Sequence, residues 1–264
     1  MEIGFGDELS ENPIPVCDYE GSDYQEQFWE QQDRAYEDGA EAAALKRLLP
    51  TAGEYLLELG AGAGRHSARY VGYQRVALLD YSLSQLKLAR TRLGSDEGYD
   101  FIVGDVYHLP FKAGVFNAAT MIRTFHHMAQ PQAALASVHR VLARQASFVL
   151  EYANKRNLKA IFRWLGRRQS WDPFDEEPVE FVELNYNFHP GAVRDWLGRA
   201  GFVIKRELAV SHFRLPLVKS LIPTRALVAA DSALQPTGGW IQYSPSVFVL
   251  AEASERSEGS KRSK

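Results

Sequence analysis

The segment LLELGAGAGRH, residues 56–66, constrains this chain most: an apolar run carrying Glu58 near its end passes directly into Gly60, Gly62 and Gly64. Glycine permits backbone conformations and close approaches that a Cβ blocks, so such a turn can lie flat beneath a ligand. Alone, it is equally a plain strand-to-helix connection. Asp80 separates the two readings, because it closes the next apolar run, RVALLDYS, about twenty residues on, where a carboxylate can accept both hydroxyls of a ribose. Asp105 then follows in FIVGDVYHLPF, a carboxylate for an adenine amino group with Val106 beside it to pack on the ring. In a doubly wound sheet the carboxyl ends of neighbouring strands lie side by side over a ligand crevice. Three such features at the ends of three consecutive strands point to a nucleoside.

The surrounding pattern predicts that sheet. Apolar runs at Glu54–Leu59, Arg75–Leu79, Asp100–Val103, Val115–Ile122 and Ala146–Tyr152 read as strands, with helices at Arg65–Val71, Leu83–Leu93 and Pro131–Ala143. A helix over Pro190–Ala200, closed by Gly201, precedes further strands at Phe202–Glu207 and Ser246–Ala251. Alternation of this kind implies parallel βαβ units. Phe28–Leu49 has helical spacing and ends at Pro50, which cannot extend a helix. The expected fold is therefore α/β, a doubly wound, mostly parallel Rossmann-like sheet with an N-terminal helical cap and a lid inserted after the fifth strand. The expected divisions are a leader and cap over 1–50, the main domain over 51–252 with a lid at about 153–189, and a disordered tail over 253–264.

The lid opens with six basic residues in the stretch 155–168 (Lys155, Arg156, Lys159, Arg163, Arg167, Arg168), interleaved with apolar ones, and five acidic residues follow between Asp172 and Glu180. The basic stretch suits lipid headgroups or RNA, but a solvated helix face neutralised by the acidic run is the commoner origin of such a pattern.

Composition narrows the classes further. At 264 residues, with 45% hydrophobic and 24% charged, the chain can bury a full core. The single Cys17 excludes an internal disulfide or a multi-cysteine zinc site. No apolar run reaches the roughly 18 residues of a membrane span, and the acidic amino end is unlike a signal peptide, so a cytoplasmic protein is expected. A net charge of −3 offers no global field for a nucleic acid, and none is expected as a partner.

The loop itself bears on the cofactor. Dinucleotide loops place their third glycine three residues after the second, where this chain has Arg65, and Glu58 would repel a pyrophosphate. A ligand with an ammonium and no phosphates fits better, and S-adenosylmethionine offers an ammonium, a ribose and an adenine in that order.

LLELGAGAGRHS, LLDYSLSQLKLAR, IVGDVYHLPF, VFNAATMIRTFHHM and ALASVHRVLARQASFVLEY together resemble class I S-adenosylmethionine-dependent methyltransferases, nearest the subgroup of the ubiquinone and menaquinone methyltransferases. The resemblance covers roughly Tyr55 to Tyr152. It implies that Gly60, Ala61, Gly62 and Gly64 run beneath the amino-acid part of the cofactor and that Glu58 supports the loop and the ammonium. It also implies a ribose site at Asp80 with Tyr81, an adenine pocket at Asp105 and Val106, and Arg123 lining the pocket and substrate entrance. The chain reads VLARQASFVL where the family usually has a Pro-Gly-Gly turn. Methyl transfer to a small acceptor, quinone- or phenol-like, follows as the expected activity, peripheral membrane contact through 155–168 is allowed, and no metal is needed. His127 is the candidate base, in competition with a packing or helix-capping role shared with His126. His189, Phe181, Tyr186 and Phe188 are candidates for an acceptor pocket, or core residues. Two other classes stay open: a non-catalytic relative that binds or regulates, and a nicotinamide-type nucleotide enzyme. The oligomeric state is not legible.

Overall fold

The computed structural model describes residues 14–17, 20–21, 34–94 and 98–254. Its elements are α1 (Ala35–Leu48), β1 (Gly53–Leu59), β2 (Tyr73–Asp80), α2 (Leu83–Leu93), β3 (Tyr99–Val103), β4 (Phe116–Met121), α3 (Pro131–Val141) and β5 (Leu142–Ala153). Then come α4 (Leu158–Leu165), β6 (Val179–Val182), β7 (Asn185–Asn187), α5 (Pro190–Arg199), β8 (Phe202–Val210), α6 (Pro216–Leu221), α7 (Thr224–Leu234) and β9 (Ser246–Ala253). Seven strands form one sheet in the order β3-β2-β1-β4-β5-β9-β8. Only β9 is reversed, antiparallel to both β5 and β8. The other ladders are parallel, so the carboxyl ends of β1 to β5 and of β8 share one edge. This is the expected doubly wound sheet.

The central strands are apolar on both faces, as a covered parallel sheet requires. Leu57 and Leu59 of β1 point into a core shared with α3 and α5. Leu56 points the other way, onto Leu86 and Ala89 of α2. Farther along that second face, Tyr36, Ala40, Ala44 and Leu48 of α1 pack with Leu227 of α7. The Tyr36 hydroxyl donates to Asp231 Oδ1 at 2.9 Å and Gln235 Nε2 donates to the Ala40 carbonyl at 2.9 Å, fastening the two helices.

Local chemistry sets the boundaries. α2 has the expected limits because the Ser82 hydroxyl accepts the Gln85 amide at 3.2 Å at its start and Gly94 takes φ +82 at its end. α1 stops where Leu49 turns extended, ψ 134, ahead of Pro50; the expected residues 28–33 of that helix lie outside the described residues, as do the tail from 255 and most of the leader.

Three expectations need correction. Arg65–Val71 is not an α-helix but turns followed by a 3-10 segment, Ser67–Arg69. β5 starts at Leu142, directly off α3, rather than at Ala146. Residues 216–239 carry α6, α7 and a further 3-10 turn in addition to the expected elements. The lid is α4 plus the β6–β7 hairpin, and its Lys155 is fully buried, donating to the Asp175 carboxylate and to the Glu177 carbonyl at 2.7 Å.

Candidate active site

The turn after β1 is tied to the end of β2: the Gly60 and Ala61 amides both donate to the Leu79 carbonyl, at 2.8 and 3.1 Å. Three glycines there have left-handed backbones but different surroundings. A Cβ on Gly60 would stand 2.1 Å from Thr124 Oγ1, and one on Gly64 would stand 3.1 Å from Ala89 and Leu93 of α2. At Gly62, φ +52, a Cβ would meet no described residue within 4 Å. Of the glycine contacts expected, Gly62 thus faces the crevice with its missing side chain, whereas Gly60 serves close packing along one edge of it. Gly64 does not line the crevice and makes room for α2.

Asp80 braces this turn. Its Oδ2 accepts the Gly62 amide at 2.7 Å and its Oδ1 accepts the Ser82 amide at 2.9 Å. Beside it, at the end of β3, Asp105 Oδ1 accepts the Tyr107 amide at 2.9 Å and Oδ2 takes His108 Nδ1 at 2.8 Å. Val106 is buried and Tyr81 half exposed. Glu58, Ala61, Asp80, Tyr81, Asp105, Val106, Arg123 and His127 all line one crevice over the carboxyl edge, and Val16 and Cys17 of the leader complete its wall.

Glu58 is buried beneath the turn. Ser67 Oγ donates to it, as does the Tyr70 hydroxyl at 3.3 Å. Burial outweighs these donors and pushes its carboxyl up to about 7. A cation arriving in the crevice would favour the ionised form.

A second buried carboxylate, Glu41 of α1, was not anticipated. Arg65 Nη2 donates to its Oε2 at 2.7 Å and Arg123 Nε to its Oε1 at 2.8 Å, with His66 Nε2 3.4 Å away. Burial opposes ionisation, yet Arg123 and Arg65 hold this carboxyl well below its ordinary range. Burial and the neighbouring Arg65 push His66 down to about 4. Arg123 has φ 59, and its amide donates to Glu151 Oε2 at 2.9 Å. A bond to Glu41 therefore engages its guanidinium at the crevice wall. The sequence signal was present: Glu37 and Glu41 fall on the same helical face as Ala40, Ala44, Leu45 and Leu48, and a carboxylate on an apolar face needs a partner. Arg214, just past β8, has buried Nε and Nη2 atoms without hydrogen-bond partners among the described residues.

His127 sits in a 3-10 turn after β4, against the lid. Its Nδ1 lies 2.8 Å from the carbonyl of Leu184, the β6–β7 turn residue with φ 52. A carbonyl only accepts, so Nδ1 carries the proton and the basic lone pair belongs to Nε2. Burial lowers the pKa of the ring, with the Leu184 carbonyl opposing. The other acceptor-pocket candidates divide. Phe188 is core, 5.1 Å from the Phe125 ring and 5.5 Å from Trp196, and Tyr186 stacks on it. His189 caps α5, its Nδ1 accepting the Gly191 amide at 3.1 Å, and Phe181 is exposed.

The crevice suits S-adenosylmethionine on its own chemistry. Gly62 leaves a cradle that a Cβ would fill, two carboxylates stand at adjacent strand ends, and a third lies buried under the turn. The turn leads into a three-residue 3-10 segment, so no α-helix N-terminus is aimed from it at a pyrophosphate.

The sheet order and the crevice over its carboxyl edge are those of the class I methyltransferase fold. Residues 57–150 match the sequence family described as a methyltransferase domain. The chain is 33% identical over 101 residues to a demethylmenaquinone methyltransferase of Clavibacter sepedonicus, covering 38% of this chain and 41% of that protein. It is 29% identical over 174 residues to a demethylmenaquinone methyltransferase of Chlamydia pneumoniae, covering 59% and 73%. Among solved structures, an S-adenosylmethionine-dependent methyltransferase from Mesorhizobium loti superposes with a TM-score of 0.59 at 22% identity, covering 81% of this chain and 97% of that one. The chain thus spans about two fifths of the length of the first curated relative.

Proposed function

We propose that this protein transfers a methyl group from S-adenosylmethionine to a small quinone- or phenol-like acceptor. The convergence of Gly62, Asp80, Asp105 and Glu58 on one crevice carries the reading. The bound cofactor supplies an electrophilic methyl on a sulfonium. Asp80 accepts the ribose hydroxyls, Asp105 the adenine amino group with Val106 against the ring, and Glu58 faces the ammonium across the glycine turn. Ala61 and Tyr81 flank these groups. Arg123 shapes the acceptor entrance through its bond to Glu41 rather than by a free charge. Acceleration comes largely from alignment in a site that excludes water. His127 takes the acceptor's proton at Nε2, its ring held by Leu184. The acceptor class rests on the names of the relatives. Along the chain we assign a leader and cap helix over 1–50, the methyltransferase domain over 51–252 and the lid at about 153–189.

The test is transfer of an isotopically labelled methyl group to a panel of quinones and small phenols. Product should form with the wild type, and His127→Asn should cut turnover by about 10²-fold or more while leaving affinity for S-adenosylhomocysteine unchanged. A His127→Asn variant with wild-type turnover would remove the base, and cofactor binding without product on any acceptor would favour a binding or regulatory protein.

A further inference from the structure

Helix α4 stands the wrong way round for a surface helix. Asn157 Oδ1 caps it, accepting the Ala160 amide at 3.0 Å, and Ala160 is buried. Leu158, Phe162 and Leu165, four and three residues apart and so on one face, are 50%, 68% and 64% exposed. An ordinary amphipathic helix turns such a face to the core. Next to it runs another apolar segment. The Tyr243 carbonyl accepts the Leu158 amide at 3.0 Å, and just before Tyr243 stand Trp240, 90% exposed, and exposed Ile241.

The cations beside this ridge are uncompensated. Lys159, Arg163, Arg167 and Arg168 are exposed, and no ion pair among the described residues engages them. Four of the five acidic residues that follow have partners other than these cations. Asp175 holds buried Lys155, Glu180 Oε1 accepts the Leu184 amide at 2.7 Å, Asp172 Oδ1 accepts the Phe174 amide at 2.8 Å, and Glu176 lies 3.8 Å from His189. A locally cationic, apolar ridge on a chain of net charge −3 is a directed feature.

We propose that the exposed face of α4, with Trp240 and Ile241 beside it, docks on an anionic lipid surface. Leu158, Phe162 and Leu165 enter the boundary between headgroups and acyl chains, and Trp240 takes the interfacial position its ring favours. The four cations reach lipid phosphates on long flexible stems, an arrangement that a fluid surface accommodates without a shaped partner pocket.

The full chain is sedimented with vesicles of phosphatidylcholine, with and without phosphatidylglycerol. The wild type should bind the anionic vesicles, less so as salt rises. Phe162→Ser/Leu165→Ser should reduce binding by about tenfold or more. Arg163→Gln/Arg167→Gln should reduce it by about fivefold per charge removed. Both variants should keep the wild-type melting temperature, since the altered side chains face solvent. A wild type that stays in the supernatant with both vesicle types, or variants that bind as well as it does, would overturn the proposal. So would capture of RNA without vesicle binding.

Discussion

Asp80 Oδ2 accepts the Gly62 amide at 2.7 Å, so the acid proposed for the ribose also holds the turn proposed to lie beneath the cofactor. The second oxygen, on the Ser82 amide, fixes the start of α2. One carboxylate therefore joins the ends of β1 and β2 before any ligand arrives. Asp80→Ala should weaken S-adenosylhomocysteine binding by about 1.5 to 3 kcal/mol, the scale of charge-assisted hydrogen bonds. Isothermal titration measures this, and unchanged affinity would mean that the ribose lies elsewhere.

The two glycines on the crevice should fail differently. Gly60→Ala drives a Cβ into Thr124 and adds left-handed strain, so the melting temperature should fall, with a cost of about 1 to 3 kcal/mol. Gly62→Val meets no described residue at its Cβ and should lose cofactor affinity far more than stability. Melting and titration of the two variants separate the effects; a Gly62→Val protein with normal affinity would remove the turn from the site.

Glu58 should leave a pH signature. Its folded pKa, about 7 against an ordinary 4.5, favours the protonated form, so its contribution is intact below about 4.5 and is lost as pH rises to about 7. The full loss is about 3 kcal/mol. Buried His66 acts oppositely: its pKa falls from 6.5 to about 4, so its contribution is lost as pH falls through that range. The wild-type curve alone blends the two. The difference in stability between Glu58→Gln and wild type isolates the carboxyl, and it should move in the variant's favour between pH 4.5 and 7. A pH-independent difference would contradict the assignment.

Glu41 fastens the cap helix to the crevice through Arg65 and Arg123. Glu41→Ala leaves two largely buried guanidinium groups without their shared partner, and should cost about 3 to 5 kcal/mol. Denaturant midpoints would show it. A loss below about 1 kcal/mol, typical of a surface pair, would mean that the cluster is wet.

The sheet was legible because β1 to β5 are short apolar runs, the first three closed by Gly60, Asp80 and Gly104, and α2 because Ser82 and Gly94 mark its ends. The acids at the strand ends were legible for the same reason: position along a parallel sheet fixes where Asp80 and Asp105 emerge. What depended on distance in the chain was not. Glu41 meets Arg123 across 82 residues, α7 is defined by its contact with α1, and His127 takes its tautomer from a turn 57 residues away. Lys155 read as part of a basic surface because no local pattern shows that its ammonium is buried under the Asp175 loop. The Arg65–Val71 segment has helical spacing, yet it folds as turns and a 3-10 segment, with Arg65 and Arg69 drawn onto Asp38 of α1, a contact that no local pattern shows.

The central claim is that this crevice holds S-adenosylmethionine. Isothermal titration of the purified chain with S-adenosylmethionine, S-adenosylhomocysteine and NADH tests it most directly. Saturable binding of the first two and none of NADH is the predicted result; binding of NADH alone, or of neither adenosyl compound, would contradict it.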